Sequence, residues 1–87
     1  MTFQTDDLQE LIFVRTGLLK QREFEAHQVE WCNNNREEHD RRYRDMFTVE
    51  ESIESHSSNL KKIESMIESL NVLINSMAMQ KLASVQK

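Results

Sequence analysis

The feature that most constrains this chain is its near-absence of glycine and proline. It contains no proline and a single glycine, Gly17, among 87 residues. Tight turns in β-rich folds use glycine for positive φ angles and proline for a fixed φ. Sandwich-like, barrel-like and collagen-like folds are therefore excluded in practice. The sequence predicts an all-α protein, and its length fits one domain spanning residues 1–87.

The C-terminal half carries the clearest periodic signal, an apolar stripe whose central members recur at alternating steps of three and four residues. This spacing places side chains on one helix face and is the heptad pattern of coiled coils. A capping-box motif at Thr48–Glu51 precedes it, so we predict a helix over about residues 48–83. The stripe, predicted to form the core and a dimer contact, comprises Ile53, Leu60, Ile63, Met66, Ile67, Leu70, Leu73, Ile74 and Met77.

The N-terminal half predicts a second, less regular helix over about residues 6–32. Asp6 and Asp7 favour its start, because acidic side chains stabilise the first turn of a helix. Gly17 weakens this helix by about 1 kcal/mol relative to alanine. It marks either a kink or a place where another helix comes close. The alternative of a short strand at residues 11–14 lacks a second strand to pair with.

The middle segment, residues 33–47, is the most polar part of the chain. Its three consecutive asparagines have poor helix propensity, and the charged residues after them are spaced for ion pairs within a helix. We predict a solvated helical segment or turn that buries little. The chain folds back either at Asn33–Asn35 or at Phe47–Thr48, and the sequence does not decide between them.

Either turn position gives a long antiparallel helical hairpin with coiled-coil packing. The apolar stripe is wider than one partner helix covers, so we expect two hairpins to dimerise into a helical bundle. One continuous helix in a parallel dimer is the alternative. The capping box and the asparagines both favour a break, and hence the hairpin.

Charge and cysteine content restrict the function. The net charge of −4 argues against nonspecific nucleic-acid binding, which needs a basic face. The single cysteine, Cys32, cannot staple a secreted domain, and residues 1–7 lack the features of a signal peptide, so we expect a cytoplasmic location. No apolar run approaches the roughly 18 residues of a membrane span.

The residues that carry chemistry do not form a known constellation. His27, Cys32, His39 and His56 lack the spacing of a Cys-x-x-Cys or His-Glu-x-x-His motif. We therefore predict no enzyme, no catalytic residue, no metal and no cofactor. His56 is the one histidine predicted on the apolar stripe, where a polar residue sets helix register.

These observations predict a non-enzymatic protein–protein interaction module that forms homodimers and buries a helix face against a partner protein. An adaptor, a chaperone-like cofactor or a binding inhibitor fits, including one encoded by a phage or mobile element. A structural coiled-coil subunit is the first alternative, and a small nucleic-acid regulator using the Arg36–Arg44 helix is the second. The candidate partner-binding residues are Trp31, Arg41, Arg42, Tyr43, Met79 and Leu82.

Overall fold

The structure is a computed structural model that describes residues 5–85, with side chains described over residues 7–83. It contains three helices, α1 (Thr5–Asn34), α2 (Arg36–Tyr43) and α3 (Val49–Val85). Residues 5–85 contain no strand, so the prediction of an all-α protein is confirmed. Residues 11–14, considered as a strand, belong to α1. The side chain of Asp6, predicted to favour the helix start, lies outside the described side chains.

Helices α1 and α3 pack against each other. Hydrogen bonds between them join Arg15 to Asn71 and Glu25 to His56, so the contact position falls along α3 as it rises along α1. The molecule measures 64 × 20 × 16 Å. Its radius of gyration is 18.9 Å, against about 12 Å for a compact domain of this length. Within residues 5–85 no further layer lies over this pair of long helices, which leaves much of each helix uncovered.

The helical path is interrupted at both predicted break points. At Asn35 the backbone leaves the helical region (φ −131°, ψ 45°), and the side-chain Nδ2 donates to the Trp31 carbonyl at 2.9 Å. The backbone N–H of Asn35 donates to the same carbonyl at 2.8 Å, so the side-chain bond adds to the helical one. The second interruption is the non-helical segment 44–48 between α2 and α3. The eight residues of α2 lie between these two breaks.

The start of α3 follows the predicted capping box. The backbone N–H of Glu51 donates to Thr48 Oγ1, and the backbone N–H of Thr48 donates to Glu51 Oε1, both at 3.1 Å. These bonds satisfy two donors that a helix start leaves unpaired. This local prediction is confirmed, and it explains why α3 begins at Val49.

The members of the α3 apolar stripe differ in how far they are exposed to solvent. Met66 and Leu73, which flank the stripe, are 48% and 37% exposed. The other seven members are buried or half-buried, so the described fold covers the centre of the stripe and leaves its flank open. The buried members are Ile63, Ile67, Ile74 and Met77, and the half-buried ones are Ile53, Leu60 and Leu70.

Gly17 has no packing explanation within the described chain. Helix α1 runs through it without interruption, and its φ is not positive. A Cβ atom built at Gly17 meets nothing within 4 Å. Neither a break in the helix nor close approach by another described part of the chain accounts for this residue.

Candidate interaction surfaces

The junction of the three helices is built around His39, which is 2% exposed. Its ring lies 6.4 Å from the ring centroid of Trp31, 5.2 Å from that of Tyr43 and 5.7 Å from that of Phe47. All three pairs are tilted, an arrangement that aromatic quadrupoles favour. We call His39, these three aromatic residues, Cys32 and Ser52 the junction cluster.

A hydrogen bond of 2.7 Å between His39 Nε2 and Ser52 Oγ ties α2 to α3. The other ring nitrogen, Nδ1, is buried without a hydrogen-bond partner among the described residues. An unpaired buried acceptor is tolerated better than an unpaired N–H. We therefore assign the proton to Nε2, which donates to the Ser52 hydroxyl.

The burial of His39 corrects the expectation that the polar middle segment buries little. Sequence reasoning placed only His56 on an apolar face, yet His39 is the more buried of the two. A signal was present, since Cys32, His39 and Tyr43 are spaced by seven and four residues and share a helical face. The charged residues between them obscured that face.

Cys32 is buried in the junction cluster, and burial raises the pKa of its thiol. It lines a cavity of about 400 Å³ together with His39, His56 and Ser52. The raised pKa disfavours the thiolate, which is the reactive and metal-binding form of cysteine. In the described part of the chain, no three His, Cys, Asp or Glu side chains are grouped so as to hold a metal ion.

Acidic residues pair with the basic side chains around the junction. Arg36 contacts Glu50 at 2.6 Å, and Glu38 pairs with both Arg41 and Arg42. The Glu38–Arg42 contact, at 2.7 Å, is an i,i+4 pair of the kind that the sequence predicts within this segment. The pKa of Glu50 is held below its usual value mainly by the hydrogen bond from Arg36 and, to a smaller extent, by a backbone hydrogen bond. The basic cluster predicted for residues 36–44 is thus partly neutralised.

Polar bonds between α1 and α3 fix the two long helices against each other. Glu25 is 8% exposed, and its carboxylate accepts from His56 Nδ1 at 2.5 Å and from Asn59 Nδ2 at 3.4 Å. Further along, Arg15 Nη1 donates to Asn71 Oδ1 at 2.8 Å. Sliding one helix along the other would break these bonds and leave the Glu25 carboxylate buried without a partner.

Beyond the junction, large apolar side chains are exposed on both long helices. On α1, Phe13 is 80% and Phe24 56% exposed. On α3, Val72, Met79 and Leu82 are 67%, 70% and 61% exposed. In the described part of the chain, more large hydrophobic side chains are exposed than buried. Extended exposed apolar surface is typical of interaction sites.

The predicted partner-binding residues fall into two separate groups. Those at the junction include Arg42, whose guanidinium lies 5.9 Å from the Trp31 ring centroid in cation–π geometry. The others lie near the C-terminal end of α3, about 45 Å from its start at 1.5 Å per residue. The junction group is Trp31, Arg41, Arg42 and Tyr43, and the far group is Met79 and Leu82.

No family model, curated protein or solved structure matches this chain. None of the helices described is both long and apolar enough to cross a membrane. The chain's own surfaces are therefore the basis on which a function is proposed.

Proposed function

We propose that this chain is a non-enzymatic protein–protein interaction module that buries apolar helix surface against a partner protein. The observation that carries the proposal is the exposure of large apolar side chains along both long helices, with Phe13 and Met79 at 80% and 70%. Burial of such surface contributes about 25 cal/mol per Å². A partner that covers it supplies the layer that two helices alone lack.

The proposed architecture is an antiparallel helical hairpin with coiled-coil packing. The cross-helix bonds Arg15–Asn71 and Glu25–His56 support it, as does the alternating spacing of the α3 stripe. We propose further that hairpins dimerise into a helical bundle. The exposed flank formed by Met66 and Leu73 supports that step, because a four-helix bundle covers a wider stripe than a single pair does.

The surface proposed for a different protein is the C-terminal part of α3, where Val72, Met79 and Leu82 are exposed. Methionine is flexible and polarisable, which suits an adaptable contact. The exposed arginines Arg41 and Arg42 would add electrostatic selectivity at the other end. An adaptor, a chaperone-like cofactor and a binding inhibitor all use this mechanism, and a cytoplasmic setting suits the unpaired Cys32.

Two alternatives remain distinct from this proposal. A structural coiled-coil subunit would use the same surfaces for further self-assembly. A nucleic-acid regulator has less support, because Arg36, Arg41 and Arg42 each pair with an acidic side chain. Such pairing reduces the number of phosphates that a protein neutralises.

Affinity capture with the tagged full chain tests the proposal, with nuclease-treated and untreated lysates compared. We expect wild type to retain one protein in near-equal amount after nuclease, and Met79→Gln/Leu82→Gln to lose it. A matched control, Asn75→Gln/Gln80→Asn, changes two exposed polar residues on the same part of α3 and should retain the partner. Recovery of the bait alone would contradict the proposal and favour self-assembly. Loss of every partner after nuclease would favour the nucleic-acid alternative.

A further inference from the structure

Besides the apolar stripe of α3, helix α1 carries a periodic face of its own, and the described fold leaves this face largely uncovered. Its six positions recur at steps of three, four, three, four and three residues, the spacing of a helix-packing stripe. None of them is charged. Four are exposed and two, Gln28 and Trp31, are half-buried. We call this face the outer stripe: Val14, Gly17, Gln21, Phe24, Gln28 and Trp31.

On the outer stripe, Gly17 leaves a gap in the helix surface, and Phe24, two turns further along, projects a large ring. Seven residues separate them, which is close to two helical turns and about 10.5 Å. The Phe24 ring is 56% exposed, whereas a Cβ at Gly17 would meet nothing within 4 Å. Glycine weakens an exposed helix, and the described chain contains no contact that requires it. Close approach by a helix from another molecule would account for it.

The neighbouring flank of α3 has the same character. Met66 and Leu73 are exposed there, with serines between and around them. Gln28 and Trp31 of the outer stripe line one cavity with Ser52, where this flank begins. Lys62 is its single charged residue. The flank comprises Ser52, Ser55, Asn59, Lys62, Met66, Ser69, Leu73 and Ser76.

The area that this chain leaves exposed matches what a dimer requires. It exposes 7005 Å², whereas a compact folded chain of 10.4 kDa exposes about 5,400 Å². The excess is about 1,600 Å² per chain, or about 3,200 Å² for two copies. Obligate homodimer interfaces bury about 2,000–5,000 Å² in total. An excess of this size lies within the range that a homodimer interface buries, which supports a second copy as the occupant.

We propose that a second copy of this chain covers the outer stripe, with Phe24 of each copy seated over Gly17 of the other. This inference rests on the proposed function and names the occupant of one surface. A two-fold axis makes the contact reciprocal, so the two α1 helices run in opposite directions and cross between residues 20 and 21. Because the outer stripe is uncharged, two identical stripes meet without repulsion between like charges.

The test is the oligomeric state of the full chain, measured by sedimentation equilibrium with circular dichroism as a check on folding. We expect wild type to have twice the 10.4 kDa chain mass. Gly17→Phe fills the gap and should raise the dimer dissociation constant by about 100-fold or more. The exchanged variant Gly17→Phe/Phe24→Gly has the same composition as wild type and should recover the dimer.

The matched control is Ala26→Phe, which adds the same ring at an exposed position on the opposite side of α1 from Gly17. It should leave the dissociation constant unchanged. If Gly17→Phe fails to fold, Phe24→Gln replaces it, because that change removes an exposed ring and should weaken the dimer alone.

A monomeric wild type overturns the inference, as do equal dissociation constants for Gly17→Phe and Ala26→Phe. An exchanged variant that stays monomeric overturns the pairing of Gly17 with Phe24. A monomeric wild type that still captures another protein overturns the dimer and leaves the proposed function standing. A dimer that captures no other protein overturns the proposed binding of a partner protein and leaves the dimer contact standing.

Discussion

The junction cluster and the region where α1 and α3 pack along each other, which we call the shaft, are held together in opposite ways. At the junction, His39, Cys32 and Ser52 are all less than 10% exposed and are held by directional contacts, including the 2.7 Å bond from His39 to Ser52. Along the shaft, burial depends on a narrow apolar line, and Phe13 and Phe24 remain exposed. The junction is therefore complete within one chain, whereas the shaft is incomplete. This difference supports the proposal that the shaft provides most of the apolar binding surface, with exposed junction residues such as Arg41 and Arg42 adding selectivity.

The largest expected loss of stability comes from a change among the buried members of the α3 apolar stripe. Ile67 is 5% exposed, so Ile67→Asp buries a charge without a partner. We expect a loss of at least about 3 kcal/mol in the free energy of unfolding, or a chain that does not fold. Thermal unfolding followed by circular dichroism measures it. Ser65→Asp, two residues earlier and exposed, is the control and should change little. An unchanged melting temperature for Ile67→Asp would show that the predicted stripe register is wrong.

The junction should respond next most strongly, to His39→Ala. The change removes ring contacts and leaves the buried Ser52 hydroxyl without its partner. We expect the free energy of unfolding to fall by about 2–4 kcal/mol in chemical denaturation. His27→Ala, at an exposed histidine on α1, is the matched control and should stay within about 0.5 kcal/mol of wild type. Equal losses for both variants would mean that the junction does not depend on the burial of His39.

A smaller effect is expected where polar groups bridge the shaft. Glu25→Leu leaves His56 Nδ1 without the carboxylate that it contacts at 2.5 Å, and should cost about 1–2 kcal/mol. The double variant Glu25→Leu/His56→Leu removes both partners and should return close to wild-type stability. Urea denaturation of wild type, both single variants and the double variant measures the coupling. If the two single losses simply add in the double variant, the pair does not join α1 to α3.

Local patterns predicted the elements of this fold, and contacts between distant segments decided the rest. The capping box at Thr48 and the α3 stripe depend on residues within one or two turns of each other, so their spacing was sufficient. The burial of His39 depends on Ser52 and Phe47 across a non-helical segment, which helix periodicity does not register. Helix periodicity also did not decide whether the helix breaks at Asn33–Asn35 or at Phe47–Thr48. The backbone leaves helical geometry at Asn35 and again over segment 44–48, so both positions are interrupted.

The same limit applies to the candidate interaction surfaces. Exposed and buried apolar residues look alike in a sequence, so Met66 and Leu73 were grouped with the buried line. The sequence left Gly17 as either a kink or a place where another helix comes close. The structure shows that α1 continues through it and that no described part of this chain approaches it. A surface that another molecule covers is identified by what the fold leaves open.

The smallest expected effect is on the charged exterior of the junction. Arg42 is exposed, contacts Glu38 at 2.7 Å and lies 5.9 Å from the Trp31 ring centroid. Arg42→Glu replaces one favourable i,i+4 pair with a like-charge pair, and exposed pairs contribute about 0.3–0.5 kcal/mol. We expect the free energy of unfolding to fall by no more than about 1 kcal/mol, and the loss to shrink in high salt. Arg44→Glu, also exposed, reports the effect of added negative charge alone. A loss at Arg42 as large as that of His39→Ala would place the stability of the junction in its charged exterior rather than in its buried ring contacts.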